Sequence, residues 1–200
     1  GVRKHTADAM VRSAFTAPHA ATFLTVDVTS SVAFVAGLRT DRRYADARVG
    51  IMAVAAKAVC LALRRTPELN ATWDDAAGEI IRFGRINLGI AAATDRGLVV
   101  PSVKDAGALS LVDLAQSIRT LADTARAGKA TPADLSGGTF SITNYGVFGV
   151  DAGTPILVPG EAGILGLGAV QRRPWEYEGG VALRDVMTLS LSFDHRLGDG

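Results

Sequence analysis

The stretch that decides the fold lies at the end of the chain and reads Ser192-Phe193-Asp194-His195-Arg196-Leu197-Gly198-Asp199-Gly200. It continues an apolar segment, residues 186–193, whose last positions alternate between apolar and polar side chains, as they do in a β-strand whose two faces differ. His195 therefore ends a predicted strand and precedes a short turn with a carboxylate. A histidine on a rigid element beside a carboxylate is suited to act as a general base. Local spacing alone equally permits an ordinary surface or cap histidine.

Three further segments upstream of this stretch have the pattern of strands and tight turns. Residues 175–183 predict a hairpin that turns at Gly179-Gly180 and leads into the last strand. Residues 137–146 predict a strand that follows a diglycine turn and ends in small polar side chains. Residues 161–170 predict another sheet strand. Their Gly166-x-Gly168 lacks the third glycine and the following helix of a dinucleotide-binding fingerprint.

The first two thirds of the chain predict helices around further strands of the same sheet. Residues 86–93 and 98–101 predict two strands of the main sheet, joined by a tight turn at 94–97. Ser110 and Asp113 form a capping-box pattern at the start of a helix that extends to Gly128, and Thr131-Pro132 predicts a second helix start. Apolar spacing predicts the other elements: helices at 3–16, 31–39 and 51–63, a strand at 22–29 and a hairpin at 72–83.

The composition indicates one domain of an intracellular, oligomeric protein. The chain has 200 residues, 48% hydrophobic and 20% charged, with a formal net charge of +1. This apolar surplus, without an uninterrupted apolar run of about 18 residues, favours an oligomer over a membrane protein. The absence of a basic run argues against nucleic acid as a partner, and no metal site is predicted. The start of the sequence has no signal-peptide pattern, and the single Cys60 predicts a buried thiol in a reducing cytoplasm.

Three motifs together resemble a known family. They are Asp194-His195-Arg196-x-x-Asp199-Gly200, the run from Asp95 to Pro101, and the run from Gly137 to Gly146. In this order they resemble the catalytic domain of dihydrolipoamide acyltransferases, the E2 components of 2-oxoacid dehydrogenase complexes. The resemblance covers residues 1–200 as one catalytic domain. It implies an α/β fold like chloramphenicol acetyltransferase, a two-layer sandwich in which helices pack on one face of a mixed sheet. It also implies that the lipoyl and peripheral subunit-binding domains are absent and that the C-terminal end is truncated.

The resemblance assigns roles to three catalytic residues. His195 corresponds to the general base, and Thr143, 52 positions earlier as in the family, to the hydroxyl that stabilises the oxyanion. As a bare sequence feature, Thr143 would be an ordinary strand residue. Asp199 is expected to hold the loop after His195 through an arginine or backbone amides. His19, which follows Pro18, is interpreted as a packing residue and is left out of the site.

The resemblance also implies contacts with coenzyme A from Arg39, Asn144 and Gly168. Arg39 follows Leu38 near the end of the predicted helix 31–39, where the family places an arginine on a coenzyme A phosphate. The alternative for Arg39 is a solvated arginine that complements the helix dipole. Gly168 is expected to place its main chain against the cofactor, and Asn144 is the asparagine that neighbours the oxyanion donor.

The implied reaction is transfer of an acyl group between coenzyme A and a dihydrolipoamide carried on a separate lipoyl domain. The implied partners are two further copies in a homotrimer, a larger cubic or icosahedral core, and the E1 and E3 components. Residues 147–155 resemble branched-chain acyltransferases, and this acyl group is the preferred expectation. Acetyl- or succinyl-specific members are the alternatives, although residues 142–155 contain no cation for a succinyl carboxylate. An antibiotic O-acetyltransferase and a non-catalytic structural core are the remaining alternatives.

Overall fold

The computed structural model describes residues 2–95 and 97–199. Gly1, Arg96 and Gly200 lie outside the described residues, and the last two belong to predicted motifs. In the described part of the chain the helices are α1 (Val2–Thr16), α2 (Thr29–Thr40), α3 (Ile51–Arg65) and α4 (Leu111–Arg126). The strands are β1 (His19–Asp27), β2 (Ala71–Asp74), β3 (Glu79–Arg82), β4 (Leu88–Ile90), β5 (Ala92–Thr94), β6 (Gly97–Val99), β7 (Ser102–Val103), β8 (Phe140–Asn144), β9 (Gly163–Leu167), β10 (Gln171–Tyr177) and β11 (Gly180–Asp194).

A mixed sheet with the strand order β1-β11-β9-β8-β4-β7 organises the molecule, and β10 pairs with β11 beside this path. The pairs β4/β8 and β8/β9 are parallel, whereas the others are antiparallel. The length of β11 follows from its two roles. Its first half forms a ribbon with β10, and its second half lies between β1 and β9. The predicted α/β class with a mixed sheet is confirmed.

The two faces of the sheet differ in composition because side chains alternate along each strand. Ile142, Leu167 and Met187 point into a hydrophobic core shared with α2, α3 and α4. The opposite face has small polar residues such as Ser190, whose hydroxyl accepts a hydrogen bond from the loop between β8 and β9. Helix α1 lies against that loop through the hydroxyl of Ser13, which donates to the carbonyl of Leu157. The prediction of helices on one face is confirmed for α2 to α4.

Two helical features are as the sequence predicts. The Ser110 hydroxyl accepts from the backbone N–H of Asp113 at 3.1 Å and donates to its carboxylate at 2.7 Å, which closes the cap of α4. Cys60 of α3 is buried in the core, and burial raises the pKa of its thiol. The interpretation of Cys60 as a core thiol is confirmed.

The prediction that residues 86–93 and 98–101 are two strands of the main sheet, joined by a tight turn at 94–97, is confirmed for the turn and for the first strand but is wrong for residues 98–101. Only β4 enters the sheet, where β7 pairs with it. The strands β5 and β6 form a separate two-stranded ribbon. The reason lies at Pro101, whose carbonyl accepts from Ile90 N–H but which has no N–H of its own to extend the ladder.

The predicted helix after Thr131 does not form. The Thr131 hydroxyl and backbone N–H both donate to the Asp134 carboxylate at 2.8 Å, so the capping interactions are present. The chain nevertheless makes only a turn there. The carbonyl of Asp134 accepts from Ser102 N–H of the edge strand β7, and this bond holds the segment extended toward Gly137.

The hairpin before the last strand is confirmed, with its turn one residue earlier than predicted. Glu178 and Gly179 occupy the turn, with φ values of 53° and 78°. Two consecutive residues of positive φ match the right-handed twist of the flanking strands, as in a type I′ hairpin. Within the described residues, no helix combines the length and hydrophobicity that crossing a membrane requires.

Candidate active site

His195 is the first residue after β11, and the sheet fixes its main chain. Its backbone N–H donates to the carbonyl of Pro18 at 2.9 Å, and Asp194 before it pairs with His19 of β1. The imidazole ring lies 5.7 Å from the ring of Phe193, centroid to centroid. The His195 side chain remains 52% exposed, so it can reach a substrate.

The turn after His195 is held by an ion pair that sequence reasoning did not single out. The carboxylate of Asp194 is buried and accepts two bonds from the Arg196 guanidinium, at 3.0 Å from Nε and 2.7 Å from Nη2. It also accepts from the backbone N–H of Arg196 at 3.0 Å. A second acid, Asp75 in the turn after β2, binds Arg196 at 3.2 Å, and these carboxylates raise the pKa of Arg196.

Asp194 therefore holds this turn, and the loop-holding role expected of Asp199 stays a prediction. The Asp199 side chain is 98% exposed, and its carboxylate lies 3.7 Å from Nδ1 of His195. Among the described residues no arginine pairs with Asp199, because Arg196 turns back toward Asp194. Asp199 is thus placed near the imidazole without a loop-holding partner among the described residues.

Thr143 lies near the carboxyl end of β8, opposite Gly166 of β9. Its side chain points to the face of the sheet opposite α2 to α4, since its neighbour Ile142 points into the core. Thr143 is partly exposed. No hydrogen-bond partner of its hydroxyl is found in the described part of the chain, so this hydroxyl is available to a ligand.

One chain does not bring His195 and Thr143 together. Thr143 pairs with Gly166 and Gly166 with Ser190, which is five residues before His195 on β11. At about 3.3 Å per residue along a strand and about 4.8 Å between strands, the two Cα atoms are roughly 20 Å apart. This exceeds the reach of both side chains.

Two of the three residues expected to contact coenzyme A line one small cavity. Asn144 and Gly168 border a volume of about 190 Å³ together with Ile51 of α3. A side chain at Gly168 would overlap the carbonyl oxygen of Asp151 and would lie 3.0 Å from that of Thr188. Glycine is therefore required where this loop crosses the end of β9.

Arg39 is not among the residues that line this cavity. It is exposed in the last turn of α2, where a cation complements the helix dipole. Among the described residues it has no acidic partner. Its neighbour Leu38 packs on a small hydrophobic cluster that contains Val49. The structure thus leaves Arg39 free for an anion without placing it beside Asn144 and Gly168.

His19 has the structural role that the sequence indicates. Its Nδ1 lies 2.7 Å from the carbonyl of Ala17, and its Nε2 accepts from Leu157 N–H at 3.0 Å. Both ring nitrogens are occupied by backbone groups, which requires a neutral ring with its proton on Nδ1. His19 therefore joins β1 to the loop before β9 and has no free nitrogen for proton transfer.

The family model described as 2-oxoacid dehydrogenases acyltransferase (catalytic domain) matches residues 1–200 of this chain. The chain belongs to this acyltransferase family.

Curated relatives agree with membership of the acyltransferase family. The chain is 43% identical over 192 residues to the succinyltransferase component of the 2-oxoglutarate dehydrogenase complex of Bartonella vinsonii subsp. berkhoffii. That match covers 92% of this chain and 45% of the relative. The chain is 38% identical over 200 residues to the acetyltransferase component of the pyruvate dehydrogenase complex of Bacillus subtilis (strain 168), covering 100% and 45%. It thus spans less than half the length of these relatives.

Solved structures of the acyltransferase family have the same architecture. Azotobacter vinelandii dihydrolipoamide acetyltransferase superimposes with a TM-score of 0.93 at 30% identity, covering 98% of this chain and 81% of that one. The cubic core of a pyruvate dehydrogenase multienzyme complex gives 0.94 at 29%, covering 99% and 82%. A chloramphenicol acetyltransferase gives 0.54 at 17% identity over 99% and 88%, which supports the fold alone. The predicted fold is confirmed.

A buried carboxyl group in this acyltransferase domain was also missed. Glu161 is 6% exposed, and its Oε2 accepts from the Ser141 hydroxyl at 2.6 Å. Desolvation raises its pKa to about 7, against the lowering effect of Ser141. In the sequence it follows Pro159-Gly160 and resembles an exposed loop residue. The glycine at position 138 is consistent with this close packing, because a Cβ there would overlap Oε1 of Glu161.

Proposed function

We propose that this domain is a dihydrolipoamide acyltransferase, which transfers an acyl group between coenzyme A and dihydrolipoamide. One observation carries the proposal. A serine, a histidine 52 positions later and an asparagine four positions after that were studied for their role in the catalytic mechanism of the Azotobacter vinelandii enzyme. Thr143, His195 and Asp199 have the same spacing in this chain. Threonine supplies the same hydroxyl as serine, and Asp199 retains a side-chain oxygen.

His195 acts as the general base in this proposal. A thiol with a pKa near 8.5 is mostly protonated at pH 7, so its attack on a thioester requires removal of the proton. The Asp199 carboxylate lies on the Nδ1 side of the ring and favours a proton there. Nε2 then remains as the base that takes the proton of coenzyme A while its sulfur attacks the acyl carbonyl on dihydrolipoamide.

Thr143 stabilises the tetrahedral intermediate. Its hydroxyl donates a hydrogen bond to the oxyanion as the carbonyl carbon becomes tetrahedral; losing such a donor costs about 2.7–4 kcal/mol in the transition state. The intermediate then expels the dihydrolipoamide sulfur, which receives the proton that His195 took from coenzyme A. The acyl group ends on coenzyme A, and the imidazole is neutral again without an acyl-enzyme.

The proposed active site combines two chains. Because Thr143 and His195 are roughly 20 Å apart in one chain, a substrate can contact both only if a neighbouring copy supplies one of them. The exposed aromatic side chains of Phe23 and Phe148 fit burial against such a copy. We propose a homotrimer that builds a larger cubic or icosahedral core and works with E1, E3 and a lipoyl domain. The buried Cys60 thiol fits a reducing, cytoplasmic location.

Coenzyme A is proposed to bind beside the oxyanion donor. Asn144 follows Thr143 directly, and with Gly168 it lines the cavity of about 190 Å³. Gly168 is buried and its main chain packs against Asp151 and Thr188, so it shapes the wall of this cavity. Arg39 is proposed to bind a phosphate of the cofactor, which its exposed guanidinium permits.

The acyl group is less well determined than the reaction. The curated relatives described above are a succinyltransferase and an acetyltransferase, so they give no support to the branched-chain preference. A succinyl group would require a cation for its distal carboxylate. Arg173 is a candidate cation, but the Asp151 carboxylate already binds it at 2.8 Å. We therefore propose the general acyltransferase reaction, with the acyl group to be identified by assay.

The experiment compares the wild-type chain with His195→Ala, Thr143→Val and Thr143→Ser in an assay with dihydrolipoamide and acetyl-, isobutyryl- or succinyl-coenzyme A. We expect His195→Ala to lower kcat by about 10²–10⁴-fold, because it removes the base. Thr143→Val should lower kcat by about 10²–10³-fold with little change in KM, whereas Thr143→Ser should retain most of the turnover.

A different result would exclude each of the proposed roles. Unchanged turnover in His195→Ala would exclude the base assignment, and a pure rise in KM for Thr143→Val would indicate a binding role instead. Wild-type protein that assembles but transfers no acyl group from any donor would support the structural-core alternative.

A further inference from the structure

The ring of Tyr145 lies directly on the main chain of Gly166. A Cβ placed on Gly166 would be 2.6 Å from Cε1 and 2.8 Å from Cζ of this ring, closer than atoms can pack. The ring also faces Gly153, where a Cβ would lie 3.5 Å from Cε1. The Tyr145 hydroxyl donates to the carbonyl of Gly153 at 3.4 Å. The absence of a side chain at Gly166 thus makes room for the ring, and Gly153 lies at ordinary contact distance from it.

This ring is the neighbour of Thr143 on the same face of the sheet. Gly166 pairs with Thr143 in register, so their Cβ positions are about 5 Å apart and point the same way. The ring that occupies the space above Gly166 therefore borders the space above Thr143. An acyl group whose carbonyl oxygen contacts the Thr143 hydroxyl would therefore lie next to the space that the Tyr145 ring occupies.

The two rows of this face nearest to Thr143 contain no cation within the described residues of one chain. Ser190 and Phe23 continue the row from Thr143 and Gly166 across the sheet. In the next row Ser141 bonds the carboxyl group of Glu161. Within the described residues of one chain, no lysine or arginine occupies a strand position in these two rows. A distal carboxylate on the acyl group would thus meet the Tyr145 ring and find no cationic partner in these rows.

From this arrangement we propose that Tyr145 is a specificity-determining residue, a wall that restricts the site to a short, uncharged acyl group. The inference rests on the proposed acyltransferase function and deepens it. The ring is held in place by its close contact with the Gly166 main chain and by the hydrogen bond from its hydroxyl to the Gly153 carbonyl. Acyl groups longer than a few carbons overlap the ring, and replacing it with a smaller side chain creates space for them.

The experiment measures kcat/KM for acetyl-, isobutyryl-, hexanoyl- and succinyl-coenzyme A with dihydrolipoamide, for the wild-type chain and three variants. Tyr145→Ala removes the wall. Tyr145→Phe is the matched control, because it loses the bond to Gly153 and keeps the ring. Gly166→Ala displaces the same ring without altering Tyr145. Thermal unfolding and the assembly state of each variant are measured in parallel.

We expect the ratio of hexanoyl to acetyl transfer to rise about tenfold or more in Tyr145→Ala, since a single methylene in a hydrophobic pocket discriminates by about 10–200-fold. The ratio should change less than about twofold in Tyr145→Phe and should shift in Gly166→Ala. An unchanged ratio of hexanoyl to acetyl transfer in assembled, active Tyr145→Ala would show that the Tyr145 ring does not restrict the acyl group. If Tyr145→Ala does not fold, an unchanged ratio in Gly166→Ala has the same consequence.

Two further outcomes separate this inference from the proposed function. Preference of the wild-type chain for succinyl-coenzyme A would overturn the inference and leave the acyltransferase function intact. Loss of all transfer in the assembled wild-type chain would overturn the function, and the inference with it.

Discussion

At the scale of single residues, Glu161 links the ionisation of one carboxyl group to stability. It lies beside Ser141, two residues before Thr143 on the same strand, and its main chain leads to Ala162, whose carbonyl accepts from Asp194 N–H. The group therefore sits between the strand of the proposed oxyanion donor and the turn of the proposed base. Burial raises its pKa from 4.5 to about 7.

The raised pKa of Glu161 predicts a loss of stability with rising pH. Between pH 4.5 and about 7 the unfolded chain releases this proton while the folded chain retains it, so the free energy of unfolding falls as pH rises. The loss amounts to about 3 kcal/mol and is complete above the folded pKa. We expect Glu161→Gln, which keeps an acceptor for Ser141, to remove most of this dependence in urea unfolding at pH 5 and pH 8.

The control for this measurement is Glu79→Gln, at an exposed carboxylate of β3. It should unfold with the same pH dependence as the wild-type chain. An equal pH dependence in Glu161→Gln and the wild-type chain would show that another group is responsible.

At the scale of elements, the turn after β11 depends on the pair of Asp194 and Arg196. The pair connects three segments, because Arg196 also reaches Asp75 after β2 and lies 5.6 Å from the ring of Trp73. Its Asp194 carboxylate is buried at the point where the main chain leaves the sheet. The position of the His195 ring is therefore set by a hydrogen-bonded turn that makes no contact with substrate in our proposal.

We predict that Arg196→Ala lowers both the stability and the turnover of the enzyme. Leaving the Asp194 carboxylate buried without its partner costs about 2–3 kcal/mol in the free energy of unfolding. Because the His195 turn loosens, kcat should fall while KM for coenzyme A changes little. Urea unfolding and steady-state kinetics measure the two effects.

Arg43→Ala is the matched control, since Arg43 forms a comparable but exposed pair with Asp41 two residues away. It should change neither quantity measurably. If Arg196→Ala behaves like Arg43→Ala, the pair does not position His195.

At the scale of the whole molecule, the distance between Thr143 and His195 predicts complementation between inactive chains. A chain with Thr143→Val still supplies a base, and a chain with His195→Ala still supplies a hydroxyl. Co-expressed in equal amounts and mixed at random in a cyclic trimer, they give about one quarter of sites with both groups intact. We expect about a quarter of wild-type activity from such assemblies, measured by the same transfer assay.

Two comparisons test this expectation. Each variant expressed alone, and the two purified assemblies mixed without subunit exchange, should stay near their own residual activity. Co-assembled chains that remain as inactive as the separate variants would mean that both groups act within one chain, against the geometry of the sheet.

Local sequence patterns determined most elements and the place of the proposed base. Alternation along residues 186–193 fixed β11 and put His195 at its end, and the Ser110 cap fixed the start of α4, because both depend on neighbouring residues in the chain. The motif at 194–199 and the hydroxyl of Thr143 could also be recognised in the sequence, because catalysis requires particular residue types in a particular order.

Tertiary structure decided what depends on residues distant in sequence. Pro101 and Ile90 settled which strands enter the main sheet, and the bond from Ser102 to Asp134 kept the Thr131 cap from starting a helix. The register across three strands separated Thr143 from His195, and close packing buried Glu161. Strand pairing and burial are long-range properties of the folded chain, so no local pattern could have specified them.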